Sequence, residues 1–310
     1  QLPMALGNQT EVTVFILQSF TEDPGLQATL FCFFFTLFVV ALVGNGLIVM
    51  AIHFSPNLHT PMYFFLVNLA MLDMICTSTI LPKALQSLVA DNTISFSGCL
   101  SQMFFFTWSL SSELLLFTAM AYDRYLAICR PLHYGTLMSG RVCLVLAAFV
   151  WTSGLFNAFL LTGLVVRLSF CGPNIIAHFF CEIPPVLLLS CSPTFLVDVI
   201  VITADMFLSG MNFLLTMASY GCIISNILRI RSAEGKRRAF STCSSHLIVV
   251  TMYYSTVLYA YIRPVLGSAG LLDKAITILY TVMTPALNPL IYTLRNKEFK
   301  ASFKKLLLLF

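Results

Sequence analysis

Residues 120–134 read MAYDRYLAICRPLHY, and they close a long apolar run with an acid and a base side by side. Asp123 and Arg124 stand at the point where the apolar letters end. Charged residues make up only 10% of this 310-residue chain, whereas soluble domains carry about a quarter. A charged pair at the end of an apolar run therefore marks a special position, and the surrounding sequence indicates what that position is.

The composition indicates that lipid surrounds most of the chain. Hydrophobic residues make up 58% of the sequence and the mean hydropathy is +0.89, which is more apolar surface than one soluble core can bury. Since about 20 apolar residues cross a hydrocarbon layer of roughly 30 Å, the length allows about six to eight crossings. The net charge of +4 includes no basic block with interleaved aromatic residues, so nucleic acid is not an expected partner.

Seven apolar segments predict an all-α membrane protein with a seven-transmembrane helix bundle. Segments this long favour helices, because lipid leaves no backbone group unpaired and barrel strands are shorter. The segments run approximately from Leu26 to His53, Pro61 to Val89, Gly98 to Cys129, Val142 to Val166, Phe195 to Ile230, Phe240 to Ile262 and Leu271 to Leu294. Residues 26–294 are thus predicted to form the membrane domain, between an extracellular segment 1–25 and a cytoplasmic tail 295–310.

The basic residues predict the orientation of this bundle. With the N-terminus outside the cell, all but four of the 17 Lys and Arg residues face the cytoplasm, as the positive-inside rule requires. The exceptions are Lys83, Arg167, Arg263 and Lys274. The opening letters QLPMALGNQT lack a charged stretch followed by an apolar core, so we expect the first crossing to act as its own signal anchor. The C-terminus is then cytoplasmic, in a multi-pass protein.

Two further patterns agree with this orientation. Asn8 begins the glycosylation acceptor Asn-Gln-Thr on the predicted outer side. Cys99, Cys171, Cys181 and Cys191 also lie on that side, where disulfides persist. Four cysteines allow three pairings, and all three stay open on the sequence alone.

The tail, residues 296–310, alternates basic and apolar residues. Phe299, Phe303 and Leu306 share one helical face with lysines around it. This pattern predicts a short amphipathic helix on the anionic inner leaflet, so membrane lipid is an expected partner. A frayed tail is the alternative.

Four polar residues are predicted to share one level inside the membrane. They are Asn45, Asp73, Glu113 and Asn288, on the first, second, third and seventh segments. Ionisable groups at such depth are costly, so the cluster either holds a sodium ion or shared protons, or packs through hydrogen bonds without an ion. The histidines show no zinc-binding spacing, and the chain has no phosphate loop and no nucleophile elbow. No catalytic residue, no enzyme activity and no cofactor beyond sodium are predicted.

Three stripes of residues with helical spacing are predicted to line a ligand cavity in the outer halves of their helices. The cavity would be mostly apolar with a few hydroxyls, as in many small-molecule sites. The stripes are Met103, Phe106, Thr107, Leu110 and Ser111 in the third segment, Val201, Ala204, Asp205 and Leu208 in the fifth, and Tyr254, Val257, Leu258 and Tyr261 in the sixth. Plain helix packing is the alternative for any one of them.

Two acids in the fifth segment allow two interpretations. Asp205 either forms a wall of the cavity that favours a donor group or a cation, or it pairs with a neighbouring polar group or extends outward to the membrane surface. For Asp198, on the same face, local pairing is favoured.

The pair Asp123 and Arg124 is predicted to form a switch at the cytoplasmic end of the third helix. The acid holds the arginine in one state and releases it in another, in which an inserted partner competes for the arginine. Anchoring of an arginine at the lipid headgroups is the simpler alternative, and the surrounding motifs argue against it.

Seven motifs in order give the chain its family resemblance. They are GN at Gly44-Asn45, LHTPMYFFLVNLAMLD at Leu58–Asp73, MAYDRYLAICRPLHY at Met120–Tyr134, HFFCE at His178–Glu182, SYG at Ser219–Gly221, KRRAFSTCSSHL at Lys236–Leu247 and PALNPLIYTLRN at Pro285–Asn296. With them the sequence resembles the rhodopsin-like G protein-coupled receptors, and within these the odorant receptors, from Asn8 to about Lys300. DRY alone would indicate only the broader superfamily.

The resemblance implies a set of roles. Cys99 would pair with Cys181, and Cys171 with Cys191. The switch would comprise Asp123, Arg124, Tyr125, Tyr220 and Tyr292, and the sixth helix would swing outward to admit a stimulatory G protein of the Gs or Golf type, which raises cyclic AMP. The polar cluster matches the buried ion site, and a small odorant would bind among helices three, five and six, in a receptor of the plasma membrane. Tyr254 stands where other rhodopsin-like receptors carry tryptophan, as in the odorant branch.

Two other functions stay open at this point. A secondary transporter would show inverted repeats and broken helices near the midplane, and the sequence shows no repeat. A receptor outside the nose, with a metabolite as its ligand, fits the same sequence as well as an odorant receptor does.

Overall fold

Long helices dominate the computed structural model, which describes residues 12–266, 271–295 and 299. The helices are α1 (Pro24–Phe54), α2 (Pro61–Val89), α3 (Phe96–Cys129), α4 (Gly140–Val166), α5 (Phe195–Arg229), α6 (Ala233–Leu266) and α7, which runs from Leu271–Ile278 through a π-helical turn at Leu279–Met283 into Thr284–Arg295. Short helical turns occupy Pro56–Leu58, Pro131–His133, Tyr134–Leu137 and Ile183–Leu187. Each predicted apolar segment lies on one of these helices, although α6 begins earlier than the segment predicted from Phe240.

Some predictions fall outside the described residues. They concern Asn8, most of the tail including Phe303 and Leu306, and the side chains of Val257, Leu258, Tyr261 and Tyr292. Of the tail, Phe299 is described, and it is buried in the central apolar cluster of the bundle.

Two of the long helices start where a capping side chain satisfies the first backbone N–H groups. Asp23 precedes α1, and its Oδ1 accepts hydrogen bonds from the backbone of Gly25 (2.7 Å) and Leu26 (3.1 Å). Ser95 precedes α3, and its Oγ accepts one from the backbone of Gly98 at 3.1 Å. Such caps supply partners that the first helical turn lacks, so Asp23 and Ser95 help to set the starts of α1 and α3.

α3 is the central helix, since it packs against α2, α4, α5 and α6. α1 packs against α2 and α7 at one edge. The outward surfaces of α4 and α5 expose large apolar side chains, among them Phe149, Phe156, Phe159 and Leu214. A surface of this kind is stable in lipid and costly in water.

Five helices among the described residues, α1 to α5, are long and apolar enough to cross a membrane. The shortest of them, α4, has 27 residues, and at roughly 1.5 Å per residue it is about 40 Å long. That length exceeds a hydrocarbon layer of roughly 30 Å. The chain is therefore a mostly helical, multi-pass membrane protein.

A small sheet covers one end of the bundle. Strand β1 (Val14–Leu17) pairs antiparallel with β2 (Thr93–Ser95) and parallel with β3 (Ile175–Ile176), in the order β2-β1-β3. Phe15 and Leu17 are buried beneath it. The apolar segments predicted helices only, so this sheet was missed. The sequence signal for β1 was the short run TVFIL, whose β-branched and aromatic residues favour a strand but which is much shorter than the apolar segments.

The widened turn in α7 brings its inner half against α1. Thr284 Oγ1 donates to the Leu279 carbonyl at 3.0 Å within this turn. Asn45 of α1 donates through Nδ2 to the Pro285 carbonyl at 3.0 Å, and a π-helical turn is the kind of irregularity that places such a carbonyl within reach. Gly44 allows the approach, because a Cβ there would lie 3.1 Å from the Pro289 ring.

α3 and α4 cross closely at Gly154. A Cβ at this position would collide with Ser112 Oγ, and it would lie 3.1 Å from the Trp108 carbonyl. Trp151 lies at the same crossing. Its backbone carbonyl accepts a hydrogen bond from Trp108 Nε1 at 3.1 Å, and its side-chain Nε1 donates to Asn68 Oδ1 at 2.8 Å. The crossing thus ties α2, α3 and α4 together.

Replacing Gly154 with valine should loosen this part of the bundle. The added side chain must push α3 and α4 apart, and overpacking of this kind costs typically about 1–3 kcal/mol. We expect a lower melting temperature of the detergent-purified protein and less protein at the cell surface. Gly163→Val is the matched control, since Gly163 lies on the same helix with nothing within 4 Å of a Cβ. Equal melting of the two variants would contradict the close crossing.

Candidate functional site

The four predicted polar residues meet in the interior of the bundle. Asn288 on α7 donates through Nδ2 to both oxygens of Asp73 on α2, at 3.2 and 2.9 Å. Glu113 on α3 lies near enough to Asp73 for the two charges to interact. Asn45 on α1 joins α7 through the Pro285 carbonyl. All four side chains are buried.

This polar cluster has acceptor atoms that no described residue satisfies. Glu113 Oε1, Asn45 Oδ1 and Asn288 Oδ1 are buried and have no hydrogen-bond partner among the described residues. Two carboxyl groups and two amide oxygens in one apolar surrounding call for a proton or a small cation. Among the described residues, no three His, Cys, Asp or Glu side chains converge as they would around a transition metal.

At the far end of α3, Arg124 is held by its sequence neighbour. Its Nη2 lies 3.2 Å from Asp123 Oδ2. The other oxygen, Asp123 Oδ1, accepts a hydrogen bond of 2.7 Å from the Tyr134 hydroxyl. Burial and the neighbouring Asp123 carboxylate raise the pKa of the Tyr134 phenol, so this hydroxyl stays protonated and continues to donate. The acid is thus fixed from two sides.

α5 and α6 are joined beside this pair by a hydrogen bond of 2.6 Å between the Tyr220 hydroxyl and His246 Nδ1. Both residues are buried. Tyr125 packs between the central cluster and the apolar contact of α5 with α6. The family resemblance placed Tyr220 in the switch, whereas the histidines were considered only for zinc-binding spacing, which they lack. The signal for His246 was its place in the motif KRRAFSTCSSHL.

The opposite end of the bundle is covered by a loop that two disulfides hold. The structure joins Cys99 to Cys181 and Cys171 to Cys191, with Cα separations of 5.3 and 5.8 Å. This is the pairing that the family resemblance implied. The backbone N–H of Cys181 also donates to Gln102 Oε1 on α3 at 2.8 Å. The loop is therefore tied to the top of α3 by a covalent bond and a hydrogen bond.

Aromatic rings fill the space under this loop. Phe180 of the loop meets Phe106 of α3 with ring centroids 5.0 Å apart. Phe179 meets Phe20, which precedes α1, at 4.7 Å. The N-terminal segment and the loop thus close the bundle together.

The described members of the predicted ligand stripes pack against different apolar clusters. Leu110 and Leu208 pack against the central cluster that contains Tyr254. Met103 and Val201 belong to a second cluster, against which Ala204 packs. The structure therefore brings α3, α5 and α6 together at the first set, and α3 and α5 at the second.

Two members of the α3 stripe have contacts outside α5 and α6. Ser111 Oγ accepts a hydrogen bond of 2.9 Å from Asn157 Nδ2 of α4. The Phe106 ring contacts Phe180 of the loop. Thr107 is buried on the same face of α3.

A groove of about 580 Å³ lies elsewhere, where α1, α2 and α4 meet near the turn Pro56–Leu58. Its lining is largely apolar and includes His53, His59, Phe64 and Cys143. His59 Nε2 lies 3.1 Å from the Ile52 carbonyl, so the His59 ring is hydrogen-bonded to the end of α1. None of the predicted ligand residues lines this groove.

Comparison with known proteins points to one family along almost the whole chain. A family model described as "Olfactory receptor" matches residues 31–309. The chain is 57% identical to Olfactory receptor 13A1 of Homo sapiens, over 98% of this chain and 93% of that protein. It is 52% identical to Olfactory receptor 13G1 of Homo sapiens, over 96% and 97%, and 47% identical to Olfactory receptor 5AR1 of Mus musculus, over 97% of each.

Replacing Asn288 with alanine should destabilise the polar cluster. Asp73 then loses the donor that contacts both its oxygens, and an unsatisfied buried group costs about 1–3 kcal/mol, more when it is charged. We expect the melting temperature of the purified protein to fall by several degrees. The control is Asn57→Ala, because Asn57 is exposed on the turn Pro56–Leu58 and its side chain makes no hydrogen bond with another described residue. If both variants melt alike, the cluster contributes nothing to stability.

Proposed function

Because this chain belongs to the olfactory receptor family, we propose that it binds a small, mostly apolar odorant in the outer half of a seven-helix bundle and activates a stimulatory G protein of the Gs or Golf type, which raises cyclic AMP. Members of this family are signalling receptors rather than enzymes. The buried pair of Asp123 and Arg124, held closed at one end of α3, is the observation that best supports a switch.

The ligand is proposed to bind where α3, α5 and α6 meet, near Leu110, Leu208 and Tyr254. A small volatile molecule offers few atoms, so burial of its apolar surface supplies most of its affinity. The disulfide-tied loop above excludes water and limits the size of what enters. Tyr254 also contacts Phe213 of α5, with ring centroids 5.2 Å apart, so a ligand beside it can act on the contact between α5 and α6.

Activation is proposed to open the other end of α3. For a G protein segment to enter, the hydrogen bond between Tyr220 and His246 would break and α6 would move outward. The entering segment would then compete with Asp123 for Arg124. Hydrogen bonds to charged groups contribute about 1.5–3 kcal/mol each, so the contact of Arg124 with Asp123 stabilises the closed state. An odorant shifts this equilibrium by no more than its difference in affinity for the two states.

The polar cluster of Asp73 and Glu113 is proposed to hold a sodium ion or protons in the closed state. The buried acceptor atoms of Glu113, Asn45 and Asn288 support this proposal, because they have no described donor. Rearrangement of α7 on activation would disperse these oxygens and release the ion. Such an ion would act as an allosteric inhibitor.

The proposed setting is the plasma membrane, with the N-terminus outside and the C-terminus in the cytoplasm. The two disulfides support an oxidising compartment for the loop end of the bundle. Asn8 would then carry a glycan. The tail after Arg295 would lie on the inner leaflet as an amphipathic helix.

Arg124→Ala tests the switch. We expect normal amounts of receptor at the cell surface and a loss of odorant-dependent nucleotide exchange on the G protein by at least about tenfold, which corresponds to about 1.4 kcal/mol. The measurement is GTP binding in membranes, together with cyclic AMP in cells, over an odorant panel. Arg130→Ala is the control, because Arg130 is exposed just beyond α3. Normal exchange in the Arg124 variant would contradict the assignment.

Ala204→Phe tests the ligand site. The phenylalanine ring would occupy space beside the apolar cluster that contains Met103 and Val201, so we expect the response to the best ligand to fall at least about tenfold while surface expression persists. Dose–response curves for cyclic AMP measure the effect. Ala148→Phe serves as the control, because Ala148 faces outward on α4. An unchanged curve would remove Ala204 from the site.

A further inference from the structure

Asp205 presents a charge toward the bundle from the middle of the outer half of α5. Val201 and Ser209, one turn before and one turn after it, are both buried. Residues four apart lie on one helix face, so Asp205 shares the inward face of α5 and is itself partly buried. An acid at this place is costly unless something compensates its charge.

The protein itself supplies no such compensation among the residues described. The ion pair found there is the one between Arg124 and Asp123, at the other end of the bundle. Asp205 accepts no hydrogen bond from any described residue. Asp198, two turns earlier on α5, differs in this respect, because its Oδ2 accepts a hydrogen bond of 2.8 Å from Thr194 Oγ1. Local pairing thus accounts for Asp198 and leaves Asp205 unexplained.

Two apolar clusters lie on either side of Asp205 along α5. The preceding residue, Ala204, packs against the cluster that contains Met103 and Val201. Leu208, almost one turn later, packs against the cluster that contains Tyr254. A carboxylate at the junction of two apolar clusters attracts a cation strongly, because the low local dielectric weakens their interaction far less than water does.

We propose that the ligand of this receptor is a small aliphatic amine, whose ammonium group pairs with Asp205 while its hydrocarbon part lies against Leu110, Leu208 and Tyr254. This inference rests on the proposed receptor function and narrows it to one ligand class. An ammonium group carries a positive charge and N–H donors, which complement the negative charge and the acceptor oxygens of a carboxylate. An alcohol offers one uncharged donor, an aldehyde offers none, and a carboxylate would be repelled.

The test compares hexylamine, 1-hexanol, hexanal and hexanoic acid, which share one chain length and differ in the head group. G protein nucleotide exchange is measured for the wild-type protein, for Asp205→Asn and Asp205→Glu, and for the control Asp198→Asn. We expect hexylamine to be the most potent compound on the wild-type protein. Asp205→Asn should raise the half-maximal concentration of hexylamine at least about tenfold. Asp205→Glu, which keeps the carboxylate, should raise it less, and Asp198→Asn should leave it unchanged.

A second measurement needs no variant. Hexylamine should raise the melting temperature of the purified wild-type protein more than 1-hexanol does, because only the amine compensates the buried charge. If Asp205→Asn does not fold, this comparison and Asp205→Glu still decide the matter.

Some results would overturn only the amine assignment, and another would overturn the proposed receptor function as well. If hexanol or hexanal activates the wild-type protein and hexylamine does not, or if Asp205→Asn responds normally to hexylamine, the amine assignment fails and the receptor function stands. If no compound of a broad odorant panel changes nucleotide exchange, and exchange in the wild-type protein equals that of Arg124→Ala, the proposed function fails and takes the amine assignment with it.

Discussion

In hydrocarbon, a polar group without an internal partner is severely penalised, and this constraint orders most of the structure. It makes the backbone helical and places the remaining polar side chains in a few shared positions inside the bundle. Asn288 bonds Asp73 in the middle of the bundle, and Tyr134 bonds Asp123 at one end of α3. Each of these contacts joins different elements, so the polar residues also hold the bundle together.

The two ends of α3 differ in how they are fastened. One end is tied covalently through Cys99 to the loop, whereas the other end is held by Arg124 and Asp123 and, between its neighbours, by Tyr220 and His246. Noncovalent contacts exchange for one another at little net cost, and a disulfide does not. Under the proposed function, a change that starts at the ligand would therefore produce movement at the Arg124 end.

The sequence predicted what depends on long patterns and missed what depends on single contacts. Apolar runs located the helices closely, since lipid leaves few other structures available, and α6 began earlier than predicted because the polar stretch before Phe240 is helical too. Periodicity identified the inward faces but not the neighbour each residue meets, so Ser111 turned out to bond Asn157 of α4. His246 was missed because a lone histidine has no periodic signal, and its role follows only from Tyr220 opposite.

The parallel pairing of β1 with β3 also fixes an order of events during synthesis. Val14–Leu17 is synthesised before α1, whereas Thr93–Ser95 follows α2 and Ile175–Ile176 follows α4. The first strand can therefore pair with β2 only after two helices have been made, and with β3 only after four. Until then its apolar side chains, Phe15 and Leu17, lack the cover that the complete sheet gives them. Completion of the sheet thus requires that α1 to α4 have all been synthesised.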